Sequence, residues 1–101
     1  MSKKYFFTKA AESDLLDIFL YTFEEWGENQ VHIYKRQLES RLEAILLFPD
    51  IGRKHPKLSN DIFYLVEGKH YIFYKKVDDD IQVLRFLHHS MDVIKHISDE
   101  L

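Results

Sequence analysis

Gly27 stands alone between two long stretches of helical periodicity, and this constrains the fold more than any other feature of the chain. Before it, Leu15, Ile18, Phe19, Thr22, Phe23 and Trp26 fall at the spacing of one buried helix face, which predicts a helix from Lys9 to Trp26. Thr8 is a fitting N-cap for it, and Asp14 and Asp17 fall on its outward part. After Gly27, the residues Val31, Tyr34, Leu38, Leu42, Ile45 and Leu46 predict a second helix from Glu28 to Phe48. Pro49 ends it, because proline disfavours helical geometry in the residue before it. With so short a connection the second helix must fold back, giving an antiparallel helical hairpin.

Strands flank the hairpin. Residues 3–8 read as a short aromatic strand. Residues 49–61 read as a loop, marked by Pro49, Gly52, Pro56 and the Ser59-Asn60-Asp61 cluster. Three further strands are predicted over Ile62–Val66, His70–Val77 and Ile81–His88, with tight turns at Glu67-Gly68 and Asp78-Asp79-Asp80. Met91–Leu101 adds a helical turn or two through Val93, Ile94 and Ile97. The fold class is therefore α+β, with βααβββ order: an antiparallel-rich sheet carrying an N-terminal helical hairpin on one face.

A chain of 101 residues suits one domain, residues 1–101, able to bury roughly 65% of its unfolded surface. It contains no cysteine, which excludes disulfides, thiolate metal sites and a thiol nucleophile. No run reaches the ~20 apolar residues of a membrane span, and the apolar stretch at Tyr5-Phe6-Phe7 is too short for a signal peptide. A cytoplasmic location is the expectation. Net charge is −3, whereas a nucleic-acid binder carries a basic excess, so direct DNA binding is not expected. Basic residues do cluster locally, at Arg53, Lys54 and Lys57 and at Lys75-Lys76.

The strand His70-Tyr71-Ile72-Phe73-Tyr74 does not alternate, and Ile81–Leu87 alternates only weakly. Continuous apolar strands require cover on both faces. The hairpin supplies one cover; the other falls to the tail or to a partner, and a partner surface is the reading adopted. Arg85 interrupts its apolar strand. Strict period two puts it with Val83 and Leu87, opposite Leu84 and Phe86. It serves either as an ion pair, with Glu67 or Asp92 as candidates, or as an exposed cation for a partner's carboxylate or a phosphate.

Several features together resemble the ParE toxins of the ParE/RelE superfamily of bacterial toxin–antitoxin modules. They are the Trp26-Gly27 stop, the Phe48-Pro49-x-x-Gly52-Arg53 loop, the Tyr71-Ile72-Phe73-Tyr74 strand and the run from Val83 to Asp92. The resemblance spans Tyr5 to His96. It implies a toxin with growth-inhibiting and plasmid-stabilising roles, in a hetero-oligomer with a ParD-like antitoxin that wraps it and covers the groove beside the sheet. ParE members poison DNA gyrase, and RelE-like relatives cleave mRNA on the ribosome. On the gyrase reading there is no catalytic set, since a poison acts by preferring one state of its target. The expected partner-binding residues are Arg53, Lys54, Lys57, Tyr71, Tyr74, Val83, Arg85, Leu87, His88 and Asp92, and Arg85→Ala should weaken antitoxin binding or toxicity with the fold intact. On the ribonuclease reading the catalytic residues would be Arg85, His88 and His89. Against it, the middle strand begins with only Lys69 and His70 in place of a basic cluster, and the tail lacks the C-terminal tyrosine. The third reading is a non-toxic module that only binds its antitoxin.

The remaining signals read as structural. Asp92 and His96 are four apart beside His88-His89 but form no dense ligand motif, so neither a metal nor a cofactor is expected. Asp78-Asp79-Asp80 lacks the glycine and distal glutamate of a calcium loop. Ser90 lies too close in sequence to His88, His89 and Asp92 for a hydrolase triad. Trp26, Phe19 and Phe23 read as helix-face core, and Arg53 reads equally as a cap of the second helix.

Overall fold

The single glycine does turn the chain, through a conformation open only to its residue type. A computed structural model describes residues 3–97. Within it, β1 (Tyr5–Phe7) leads into α1 (Lys9–Trp26) and α2 (Glu28–Leu47). Gly27, at φ 87° and ψ 178°, closes the first helix by donating its N–H to Phe23 O and opens the second. Thr8 caps α1 as expected: its hydroxyl accepts from Ala11 N at 3.0 Å and donates to Leu84 O at 2.7 Å. At the far end α2 stops at Leu47, and Phe48, forced out of helical geometry by Pro49, donates its N–H to Ala44 O.

The remaining elements are β2 (Arg53–Lys54), β3 (Ile62–Glu67), β4 (His70–Val77), β5 (Asp80–His88) and α3 (Val93–Ile97). The strands form one sheet in the order β1-β5-β4-β3-β2. β3, β4 and β5 make the expected antiparallel meander, while β1 joins β5 in parallel across the helical hairpin. β2, read from sequence as loop, pairs with Tyr64 and Phe63 at the sheet edge. Two residues carry no alternation to read, so only the pairing defines it. Residues 98–101, part of the predicted tail, lie outside the described residues.

The hairpin packs Ala11, Ile18, Leu38, Leu42 and Ile45 onto Phe63, Ile72, Tyr74, Ile81, Val83 and Phe86. The opposite face is covered from within the chain, contrary to the partner expected there. Ile97 and Val93 of α3, with Leu58 of the loop, close over Ile62, Phe73, Leu84 and Leu87. The expected facing of β5 is also corrected. Phe73 lies opposite Arg85 but Tyr74 opposite Val83, so Leu84 is the extra residue of a β-bulge. The bulge resets the alternation, setting Val83 with Phe86 under the hairpin and Leu84 with Leu87 under α3.

Two helix assignments also change. Phe23 and Trp26 are exposed rather than core, because α1 outruns the sheet beneath its last turn, and Leu16, Leu20 and Tyr21 are exposed with them. Asp14, expected to face outward, is drawn inward by Arg85.

Because a β-carbon at Gly27 would meet nothing within 4 Å, a substitution there reports backbone strain alone. Gly27→Ala is expected to lower the unfolding free energy by roughly 1–3 kcal/mol, measured by urea denaturation.

Candidate functional site: a groove between the hairpin and the strand ends

A groove of about 670 Å³ opens where α1 and the start of α2 overhang the ends of β4 and β5. Ile18 and Thr22 line its inner side, Tyr21 and Trp26 its helical wall, and Tyr34, His70, His88 and Met91 the side toward the sheet. Thr22 satisfies its buried hydroxyl by donating to Ile18 O at 2.7 Å.

Hydrogen bonds assign the histidine tautomers. Tyr34 Oη donates its one proton to Glu67 O at 2.9 Å, so His70 Nδ1, 2.7 Å from the same oxygen, must be the donor there. The Nε2 of neutral His70 is then an acceptor. Burial, reinforced by His88 and His89, pushes the His70 pKa down to about 4, so the ring is neutral at pH 7. Burial, with Glu67 beside it, pushes Tyr34 up to about 12. His88 Nδ1 accepts from Ser90 N–H at 3.1 Å, which leaves the proton of its neutral form on Nε2. Its pKa is lowered by partial burial, His89 and Lys69. The rings of His70 and His88 meet edge to face with centroids 5.4 Å apart. Together these groups offer aromatic surface, one acceptor and one donor, and no strong base.

Arg85 is committed elsewhere. Its Nε and Nη2 donate to the two carboxylate oxygens of Asp14 at 2.7 and 2.9 Å, and Nη1 donates to His96 O at 3.1 Å. Asp14 Oδ2 also accepts from Phe86 N at 3.0 Å, next to the bulge. The two side chains are 15% and 13% exposed. The partner is thus Asp14, neither Glu67, which accepts from Arg41 Nε, nor Asp92. A sequence separation of 71 residues hid the pair.

The residues expected to bind partners do not converge. Tyr74, Val83 and Leu87 are fully buried core. Tyr71 is half-buried against Tyr64 on the α3 side. Asp92 caps α3, its Oδ1 accepting from Lys95 N at 3.2 Å. His88 borders the groove, and the His89 ring lies against it, tilted by 31° with centroids 4.4 Å apart. Arg53, Lys54 and Lys57 are exposed at the opposite sheet edge, three strands and roughly 14 Å from β5. Arg53 lies in β2 and is not the helix cap considered above. Sequence reasoning missed Tyr21, Trp26, Tyr34, His70 and Met91 as one wall; the clue was Tyr21, an aromatic just off the buried stripe. Among the described residues no three carboxylate or imidazole side chains converge as metal ligands.

A mixed sheet under a helical hairpin, with a groove at the strand ends, makes this a small α+β protein. The family described as "ParE toxin of type II toxin-antitoxin system, parDE" matches residues 5–93. The chain is 32% identical over 95 residues to Toxin ParE1 of Caulobacter vibrioides, covering 94% of this chain and 98% of that one. It is 32% identical over 98 residues to Toxin ParE1 of Mycobacterium tuberculosis, covering 96% and 100%. Among solved structures, a chain titled "Chromosomal ParDE TA system from P. aeruginosa" superposes with a TM-score of 0.68 at 18% identity, over 87% of this chain and 95% of that one, a likeness of fold. The protein belongs to the ParE toxin family of parDE toxin–antitoxin systems.

Arg85→Ala strands the Asp14 carboxylate and frees α3, so it should destabilise the fold by roughly 3 kcal/mol in urea denaturation, and Lys should not restore the bidentate pair. The expectation of an intact fold from sequence alone did not include the Asp14 pair. For His70, whose pKa falls from 6.5 to about 4 on folding, the unfolded chain takes up the proton first as pH drops. The stabilisation is full above pH 6.5 and shrinks as pH falls toward 4. Between pH 7 and 5, where most carboxylates stay ionised, the urea midpoint should fall, and His70→Gln should flatten that fall.

Proposed function

We propose that this chain is the toxin of a type II module that poisons DNA gyrase by protein–protein binding in the cytoplasm, and that a cognate ParD-like antitoxin neutralises it in a hetero-oligomer. The observation carrying this reading over RNA cleavage is the bidentate hold of Asp14 on Arg85. Cleavage at a phosphate needs cations free to meet the developing charge and a group able to deliver a proton. Here the strand arginine is spent on a carboxylate, and His70 on the adjacent strand is neutral, with Nε2 an acceptor rather than a proton donor. A stoichiometric inhibitor needs only complementary surface.

The groove supports the antitoxin half of the reading. Tyr21 and Trp26 are 63% and 72% exposed, and aromatic side chains beside a concave surface are the usual anchors of protein recognition. His88, at the groove, belongs to the same proposed contact.

The test is induction of this chain alone in bacteria with pulse-labelling of DNA and protein synthesis, and purified protein added to a gyrase supercoiling assay. DNA synthesis is expected to stop first, supercoiling to be inhibited, and co-expressed antitoxin to reverse both. Protein synthesis stopping first, with supercoiling untouched, would replace this reading by ribosome-dependent cleavage.

A further inference from the structure

Away from the groove, the end of α2 and the turn into β2 present three large apolar side chains in five residues: Leu47, Phe48 and Ile51, at 72%, 64% and 45% exposure. Single exposed hydrophobes are ordinary, but a contiguous group rimmed by charge marks an interaction site. This group is held rigidly. The buried hydroxyl of Tyr74 donates to Pro49 O and accepts from Gly52 N, both at 2.9 Å, and Ile51 N donates to Phe48 O at 2.9 Å. Gly52 sits so close that a β-carbon there would lie 2.6 Å from the Tyr74 hydroxyl and 2.9 Å from Phe63 Cβ. The core thus fixes the shape of the turn, and a surface fixed before contact loses little entropy on binding.

The rim is cationic in a chain whose net charge is −3. Arg53, Lys54 and Lys57 follow the apolar group directly, and Lys76 joins them from β4. Lys54 and Lys76 hold their ammonium groups 5.4 and 5.6 Å from the Phe63 ring centre. The one nearby carboxylate on the turn, Asp50, is occupied by Lys76 at 2.7 Å. Among the described residues no hydrogen bond or ion pair engages the side chains of Arg53 or Lys57.

We propose that this turn, Leu47, Phe48 and Ile51 with Arg53, Lys54 and Lys57, docks an acidic protein segment carrying an apolar anchor, and that the segment belongs to the toxin's target. The inference rests on the toxin reading above. Cations call for carboxylates, and the apolar group at their centre calls for a side chain rather than a phosphate backbone. The antitoxin takes the groove in the reading above, and the two surfaces stand apart: from Tyr34 to Leu47 is thirteen residues of α2, roughly 20 Å.

The experiment uses the full chain and two variants, Phe48→Ser and the double reversal Arg53→Glu/Lys54→Glu, with folding checked by circular dichroism. Growth arrest on induction, inhibition of gyrase supercoiling, and affinity for the cognate antitoxin are measured. Each variant is expected to lose tenfold or more in arrest and supercoiling inhibition while its antitoxin affinity stays within threefold. Undiminished arrest by both folded variants overturns the inference, as does an equal loss of antitoxin affinity. So does a shift of duplex DNA alone by the wild-type chain that the double reversal abolishes, which would make the patch a nucleic-acid contact. A wild-type chain that arrests growth without touching gyrase overturns the gyrase reading instead, and the arrest readout still reports on the surface. A wild-type chain that arrests nothing overturns both.

Discussion

Asp14 and Arg85 meet through two hydrogen bonds of 2.7 and 2.9 Å, and the arrangement of three elements follows from that contact. Asp14 comes from α1, Arg85 from β5, and the remaining guanidinium nitrogen reaches a carbonyl of α3. The bulge at Leu84 sets the faces on either side of Arg85: without the extra residue, alternation would carry Phe86 and Leu87 to the wrong faces. The same carboxylate takes the Phe86 N–H beside the bulge, so one aspartate satisfies a charge and an irregular piece of backbone. A partly buried charge requires such full pairing. Securing α3 also lets this chain cover its second sheet face by itself.

The pair bears directly on function. A guanidinium clasped by a carboxylate and a carbonyl has no free edge for a phosphate, and the His70 ring is held neutral by burial, reinforced by His88 and His89. What the molecule offers outward is instead surface: an aromatic groove at one end of the hairpin and an apolar, cationic turn at the other. The first is shaped by α1 outrunning the sheet, the second by the Tyr74 hydroxyl holding the turn after Pro49. Both are consequences of the core continuing to the surface rather than additions to it.

Much of the fold was legible because its signals are local. Helix periodicity, the Thr8 cap, Gly27 and Pro49 set the hairpin within a residue of its observed ends, and the meander followed from short turns between aromatic runs. β2 was not legible, since two residues carry no pattern. Nor was the exposure of Phe23 and Trp26, which depends on where the sheet stops beneath α1. Of the expected partner residues, Leu87 is buried because α3 closes the second face, while Tyr74 and Val83 turn toward the hairpin and are buried beneath it.

The sequence by itself determined the order of every element but β2, the hairpin, the family and the local basic cluster, because each is written in neighbours a few residues apart. Tertiary structure decided the rest: which carboxylate holds Arg85, which face each β5 residue takes, and which aromatics line a groove. Those outcomes join residues up to 71 positions apart. One extra residue in a strand reverses the facing of all that follow it, and no local pattern records whether the ladder will absorb it.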